Sequence, residues 1–234
     1  MAELGIARSA WSGPGRAIGD SRLGAMVEMG SALTLTGLGF PEARVVARRL
    51  GVAPGGKGGL GVDHEQCSAC EFDGSEYGPA QLLEAIRNLG PQWKRILLDA
   101  GDDLRKRPAP ATWSALEYAA HSRDITALHV FGVEQALMID EPEFPEVAGD
   151  ELVENAAASY ASQDPGLVGI ELEDQALELA GLAQASGPAS WSRGITFGSS
   201  RSDVRLLLEH ALHDSHHHLV DVTKGLAVLR SSSL

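Results

Sequence analysis

Glu209-His210-Ala211-Leu212-His213-Asp214-Ser215-His216-His217-His218-Leu219-Val220-Asp221 holds five of the chain's eight histidines. Apolar residues continue on both sides of this run at helical spacing, so it reads as the middle of a long helix. That helix starts near Ser202, has Asp203 in its first turn and runs to about Arg230. Residues four apart on a helix point about 40° apart and stand about 6 Å apart along the axis. His213 and His217 can therefore converge on one ion at roughly 2.0–2.1 Å. Leu206 and Val220 lie on the same stripe, which predicts that the pair faces a helical core. His210 shares the stripe but is two turns from His217. His216 and His218 are rotated about 100° from His217 and are expected outside or on a rim.

Working outward, the period stays helical. Leu82, Ile86, Leu89, Trp93, Ile96, Ala100 and Leu104 recur at spacings of three and four. They predict one amphipathic helix from Gly78, kinked at Pro91 and ended by Pro108 and Pro110. A second helix is expected with Thr112 as N-cap and its end near Ile139. Residues 150–185 read as two helical pieces broken at Asp164-Pro165-Gly166, and residues 190–200 as a loop or short extended excursion. Four long helices with short connections predict an all-α, antiparallel four-helix bundle.

The chain divides near residue 61. Residues 1–61 carry about half of the glycines and a charge of roughly +3, against -13 for the whole chain. The segment ends in the glycine-rich run Gly55-Gly56-Lys57-Gly58-Gly59-Leu60-Gly61, and one short helix over residues 41–49 fits within it. It reads as a poorly ordered extension or a mis-called start. Residues 23–40 are a poor signal sequence, because Glu28 and several glycines interrupt them. The bundle domain is expected over residues 62–234.

The acidic balance excludes a nucleic-acid partner, which needs a surplus of lysine and arginine. No apolar run approaches the roughly 18–20 residues of a membrane span. Two cysteines are too few for a disulfide framework, so a cytoplasmic location is expected. Cys67 and Cys70 read as a redox pair, as zinc ligands with His64, or as unpaired thiols. The last is preferred, because no fourth zinc ligand is evident nearby. A small-molecule substrate is expected. A homodimer through a bundle face is compatible with the sequence, which identifies no seam.

The third ligand to the ion must come from another helix. His64 and His129 are candidates, and His121 is preferred. It lies on the apolar face of Trp113-Ser114-Ala115-Leu116-Glu117-Tyr118-Ala119-Ala120-His121-Ser122-Arg123-Asp124. The expected metal set is His121, His213 and His217. Glu117, Asp124 and Asp214 are candidates to orient a ligand or move a proton.

Three segments resemble the DinB-like superfamily, which includes the mycothiol-dependent maleylpyruvate isomerases. They are Trp113-Ser114-x-x-Glu117-x-x-x-His121, Trp191-Ser192-Arg193-Gly194 and His213-Asp214-x-x-His217-His218-Leu219-x-Asp221. Cys67-Ser68-Ala69-Cys70-Glu71-Phe72-Asp73 resembles a feature of the actinobacterial branch. The resemblance covers roughly residues 67–230. It implies a four-helix fold, a divalent metal (zinc or nickel foremost) and a low-molecular-weight thiol such as mycothiol as cosubstrate. It also implies transfer to, or isomerisation of, a small electrophile. The isomerases have glutamate as middle ligand where His213 stands here. Arg193 is the cofactor-binding candidate and could hold a substrate carboxylate bidentately. Metal-dependent hydrolysis and a non-catalytic metal-binding or stress-response role are the alternatives.

Overall fold

The computed structural model describes residues 64–145 and 159–232. The expectations for residues 1–61, including the short helix at 41–49, lie outside the described residues.

The chain forms the all-α four-helix bundle read from its periodicity. The first bundle helix is two segments, α1 (Pro79–Arg87) and α2 (Leu89–Asp99), which meet at Asn88. Pro91 lies in the first turn of α2, where its missing N–H has no helical partner to lose. The break therefore falls before the proline, not at it. Helix α2 also stops short of Leu104, in a 3-10 turn at Gly101–Asp103.

Helix α3 is Ala115–Met138. Its N-cap is Ser114, two residues beyond the expected Thr112. The Ser114 hydroxyl accepts the Glu117 N–H, and the Glu117 carboxylate accepts the Ser114 N–H at 2.8 Å. Helix α4 is Pro165–Ser186, with Asp164 as N-cap and Gly187 (φ +74°) beyond its end. Helix α5 is Val204–Ser231, and the Asp203 carboxylate accepts the Leu206 N–H at 2.8 Å.

Helix directions follow from the contacts. Arg87 meets Gln184 and Lys94 meets Glu173, so α1–α2 and α4 are antiparallel. His121 faces Asp214 and His129 faces His210, so α3 and α5 are antiparallel too. The other two neighbouring pairs are parallel. Trp93 donates to Ser215 and Arg230 to the Asp99 carbonyl, which aligns α1–α2 with α5. Arg123 pairs with Glu171 and Ala136 takes Arg193, which aligns α3 with α4. A parallel pair cannot be joined by a tight turn. Twenty-six residues, 139–164, separate α3 from α4, more than the short connection expected.

The core is filled by Leu82, Ile86, Leu89, Trp93, Leu116, Leu172, Leu179 and Leu208, all buried. Helices α2 and α4 touch closely. A Cβ at Gly90 would stand 2.7 Å from the Glu173 Cα.

Among the described residues, two small sheets accompany the helices. Strands β1 (Gln66–Cys67) and β2 (Phe72–Asp73) form a hairpin with Cys67 opposite Phe72. Strands β3 (Glu143–Phe144), β4 (Gly194–Phe197) and β5 (Ser200–Asp203) lie in that order, β3 parallel and β5 antiparallel to β4. The expected extended excursion near residues 190–200 is this β4–β5 hairpin. No described helix is long and apolar enough to cross a membrane.

Candidate metal centre

Helix α5 has neighbours on several sides, and its histidines are divided among them. Toward α3 it presents Leu207, Ala211, Asp214 and His218, spaced four, three and four residues apart. His121 of α3 meets this stripe. Its Nε2 lies 3.8 Å from Asp214 Oδ1, and His218 Nε2 lies 3.5 Å from the same oxygen. The three side chains form one group whose donor atoms all lie within 4.8 Å of one another. Ligands at roughly 2.0–2.1 Å from a tetrahedral ion stand about 3.4 Å apart. The donor set and spacing suit a shared divalent cation, and both imidazole contacts are longer than good hydrogen bonds.

His121 is buried against Trp113, whose ring centre is 5.2 Å away. Burial holds its pKa down despite Asp214, which favours the neutral, ligating form. Burial acts the same way on His218, but Asp214 and Asp221 outweigh it and raise its pKa to about 9. Burial opposes ionisation of Asp214, yet His218 and His121 hold it well below the usual carboxylate range. Tyr118 packs on His218 at 4.9 Å, and Asp221 Oδ2 is 3.6 Å from His218 Nδ1. Tyr118 and Asp221 also line a cleft of about 410 Å³ with Thr112 and Lys224.

His213 and His217 point elsewhere, toward the β1–β2 hairpin. They group with Cys67 and Cys70, again with all donor atoms within 4.8 Å. Cys67 Sγ lies 3.6 Å from His217 Nδ1. Burial opposes ionisation of the Cys67 thiol. The backbone N–H groups of Cys70 and Ala69 and the two imidazoles outweigh it and bring the pKa down to about 6. Glu65 Oε1 accepts from His213 at 2.8 Å and from His210 at 3.2 Å. These are hydrogen-bond distances, so Glu65, His210 and His213 read as a carboxylate–imidazole network.

The expected metal residues are thus divided: His121 lies with Asp214 and His218, while His213 and His217 lie with the cysteines. His218 is not on a rim, since its side chain is 17% exposed. Among the carboxylates expected near the ion, only Asp214 belongs to the group. Glu117 is buried in the α3 cap and pairs with Arg107. Asp124 accepts the Tyr160 hydroxyl at 2.8 Å and pairs with Arg123. Arg193 donates to the carbonyls of Ala136 and Ile139, closing the end of α3. His64 is engaged by Glu209 at 2.8 Å. The stripe Leu207–Ala211–Asp214–His218 was the sequence signal for the residues that the spacing argument missed.

His129 is buried beside His210, and its Nδ1 is 2.7 Å from the Ile125 carbonyl. Burial first, and His210 second, lower its pKa to about 4. The unfolded chain, with a histidine near 6.5, binds more protons between those values. Stability therefore falls as the pH drops through that window. The loss is about 2 kcal/mol by pH 5 and about 3 kcal/mol in full. Urea titrations at pH 7 and pH 5 should show it, and His129→Gln should remove that share of the difference. An unchanged pH slope in His129→Gln would contradict it.

No protein-family model matches the chain, and no curated protein matches it. A solved structure is similar: "YfiT from Bacillus subtilis is a probable metal-dependent hydrolase with an unusual four-helix bundle topology". The match has a TM-score of 0.57 and 14% identity, and covers 63% of this chain and 85% of that one. At this identity the likeness shows a shared fold.

Proposed function

We propose that this protein is a divalent-metal-dependent hydrolase of the DinB-like type, with its ion held by His121, Asp214 and His218. The observation that carries the proposal is the convergence of His121 from α3 on Asp214 and His218, one turn apart on α5. YfiT, a probable metal-dependent hydrolase with a similar fold, supports the same class.

Two imidazoles and a carboxylate are a common donor set for zinc and other first-row ions. Three protein ligands leave a position open for water or substrate. A bound ion would supply Lewis acidity and lower the pKa of a coordinated water toward about 7. Asp221 beside Nδ1 of His218 would fix that ring's orientation. Burial first and Asp221 second push the Tyr118 pKa up, so its hydroxyl stays a proton donor toward the cleft. Lys224 on the same cleft would hold an anionic substrate group. Trp113 excludes water behind His121.

Asp214 also favours a second reading. It supplies the carboxylate that the resemblance to the mycothiol-dependent isomerases expects among the ligands and that His213 does not. In that reading a low-molecular-weight thiol, mycothiol or another, is the cosubstrate for transfer or isomerisation.

The test is a panel of small amides, esters and electrophiles offered to metal-reconstituted protein, with and without added thiol. Metal-dependent hydrolysis without thiol is the expected result. Turnover that appears only with thiol would select the second reading. No metal-dependent turnover in either arm, with no metal bound through His121, would overturn both.

A further inference from the structure

We propose that Cys67, Cys70, His213 and His217 form a structural zinc site, separate from the His121–Asp214–His218 group, that staples the β1–β2 hairpin to α5.

Two thiolates and two imidazoles are a complete tetrahedral shell for zinc, which marks a structural rather than a catalytic site. On a tetrahedral ion with Zn–S about 2.3 Å and Zn–N about 2.0–2.1 Å, sulfur and nitrogen stand about 3.6 Å apart. Cys67 Sγ and His217 Nδ1 are 3.6 Å apart. The remaining donors fall within 4.8 Å of them.

The imidazoles are prepared for this role. His213 gives Nδ1 to Glu65 at 2.8 Å, which leaves Nε2, a buried nitrogen without a hydrogen-bond partner among the described residues. His217 has Nδ1 on the sulfur side and Nε2 3.6 Å from Asp221. A carboxylate behind each ring is the usual support of a zinc-bound histidine. The hairpin is prepared as well. Glu71, directly after Cys70, adopts φ +60°, a conformation that costs a non-glycine residue and tightens the Cys-x-x-Cys turn. Phe72 stacks on His213 at 5.1 Å and fixes the hairpin against the helix.

The sequence hid this site because its two halves are about 150 residues apart. An ion here would tie residues 67–70 to the middle of α5. Asp221 lies within 3.6 Å of both His217 and His218, so the staple would also brace the neighbouring group. None of the four ligands belongs to the proposed hydrolytic centre.

The test is cobalt(II) titration of the reduced full-length protein. One equivalent should give a sulfur-to-cobalt charge-transfer band and an intense tetrahedral visible spectrum, both bleached by zinc. Cys70→Ser should lower the charge-transfer band by about half, since it removes one of two thiolates. His218→Ala should retain the band, which separates this site from the hydrolytic one. Cobalt uptake with no sulfur band would overturn the proposal, as would an undiminished band in Cys70→Ser.

Wild-type protein gives a second readout if the cysteine variant does not fold. Both thiols should resist alkylation when zinc-loaded and react once a chelator is added. Equal alkylation with and without zinc would overturn the site. So would a Cys67–Cys70 disulfide that takes up no zinc after reduction, which would assign a redox pair instead.

Discussion

His218→Ala is expected to remove one equivalent of bound metal and to lower metal-dependent turnover about a thousand-fold, whereas His216→Gln should leave both intact. The size follows from the several kcal/mol that an ion contributes to transition-state charge stabilisation, at about 1.4 kcal/mol per factor of ten. The contrast follows from helix geometry. His216 points to the hairpin, with Nε2 3.2 Å from the Cys70 carbonyl, while His218 shares Asp214 with His121. Deleting His218 leaves a carboxylate facing a single imidazole, too few ligands for firm binding. Asp214→Asn should act in the same direction, because the neutral amide is a weak ligand. Metal content measured beside turnover makes the comparison decisive. Full metal content and full turnover in His218→Ala would return the assignment to His213 and His217.

The sequence revealed the helices better than their neighbours. Periodicity requires only that one face be apolar, and that is a local property. It placed α3, α4 and α5 to within a few residues. It missed Asn88, because an amphipathic stripe can run unbroken through a break between two helices with one buried face. It placed the α3 N-cap at Thr112, although Ser114-x-x-Glu117 carries the capping-box pattern in plain view.

The direction of α4 was not legible, because helix period carries no information about which helix lies alongside. The same limit applies to the histidines of α5. The four-residue spacing of His213 and His217 points to a shared ion only if α5 has one interior stripe. In the fold, α5 is covered by α3 on one side and by the β1–β2 hairpin on another. Stripes one residue apart in the sequence, at His217 and His218, therefore serve different groups. Cys67 and Cys70 lacked further ligands within their own stretch, and the fold brings those ligands from the other end of the domain.

The remaining large effect concerns the charge that anchors this N-terminal segment. Arg205→Ala should cost about 3–5 kcal/mol of stability, a large share of the 5–15 kcal/mol typical of a domain. Glu209 is fully buried on α5. Its carboxylate takes the Arg205 guanidinium, the His64 ring at 2.8 Å and the Glu65 N–H at 2.9 Å. Arg205 also donates to the carbonyls of Gly74 and Tyr77 and packs over Trp191. Without it, a buried carboxylate keeps one imidazole and one N–H as partners, and the Gly74 and Tyr77 carbonyls lose the guanidinium. Arg205→Lys should recover little, since a single ammonium cannot span the positions that the guanidinium fork reaches. Arg205→Ala combined with Glu209→Gln should recover part of the loss, because the buried charge is gone. The effect should reach the hairpin, because residues 64 and 65 hang on Glu209 and Glu65 in turn holds His213. Urea midpoints for the three variants, with zinc uptake measured on each, test both parts. An unfolding free energy for Arg205→Ala within about 0.5 kcal/mol of wild type would show that solvent reaches Glu209, since only a hydrated carboxylate loses its partner at so small a cost.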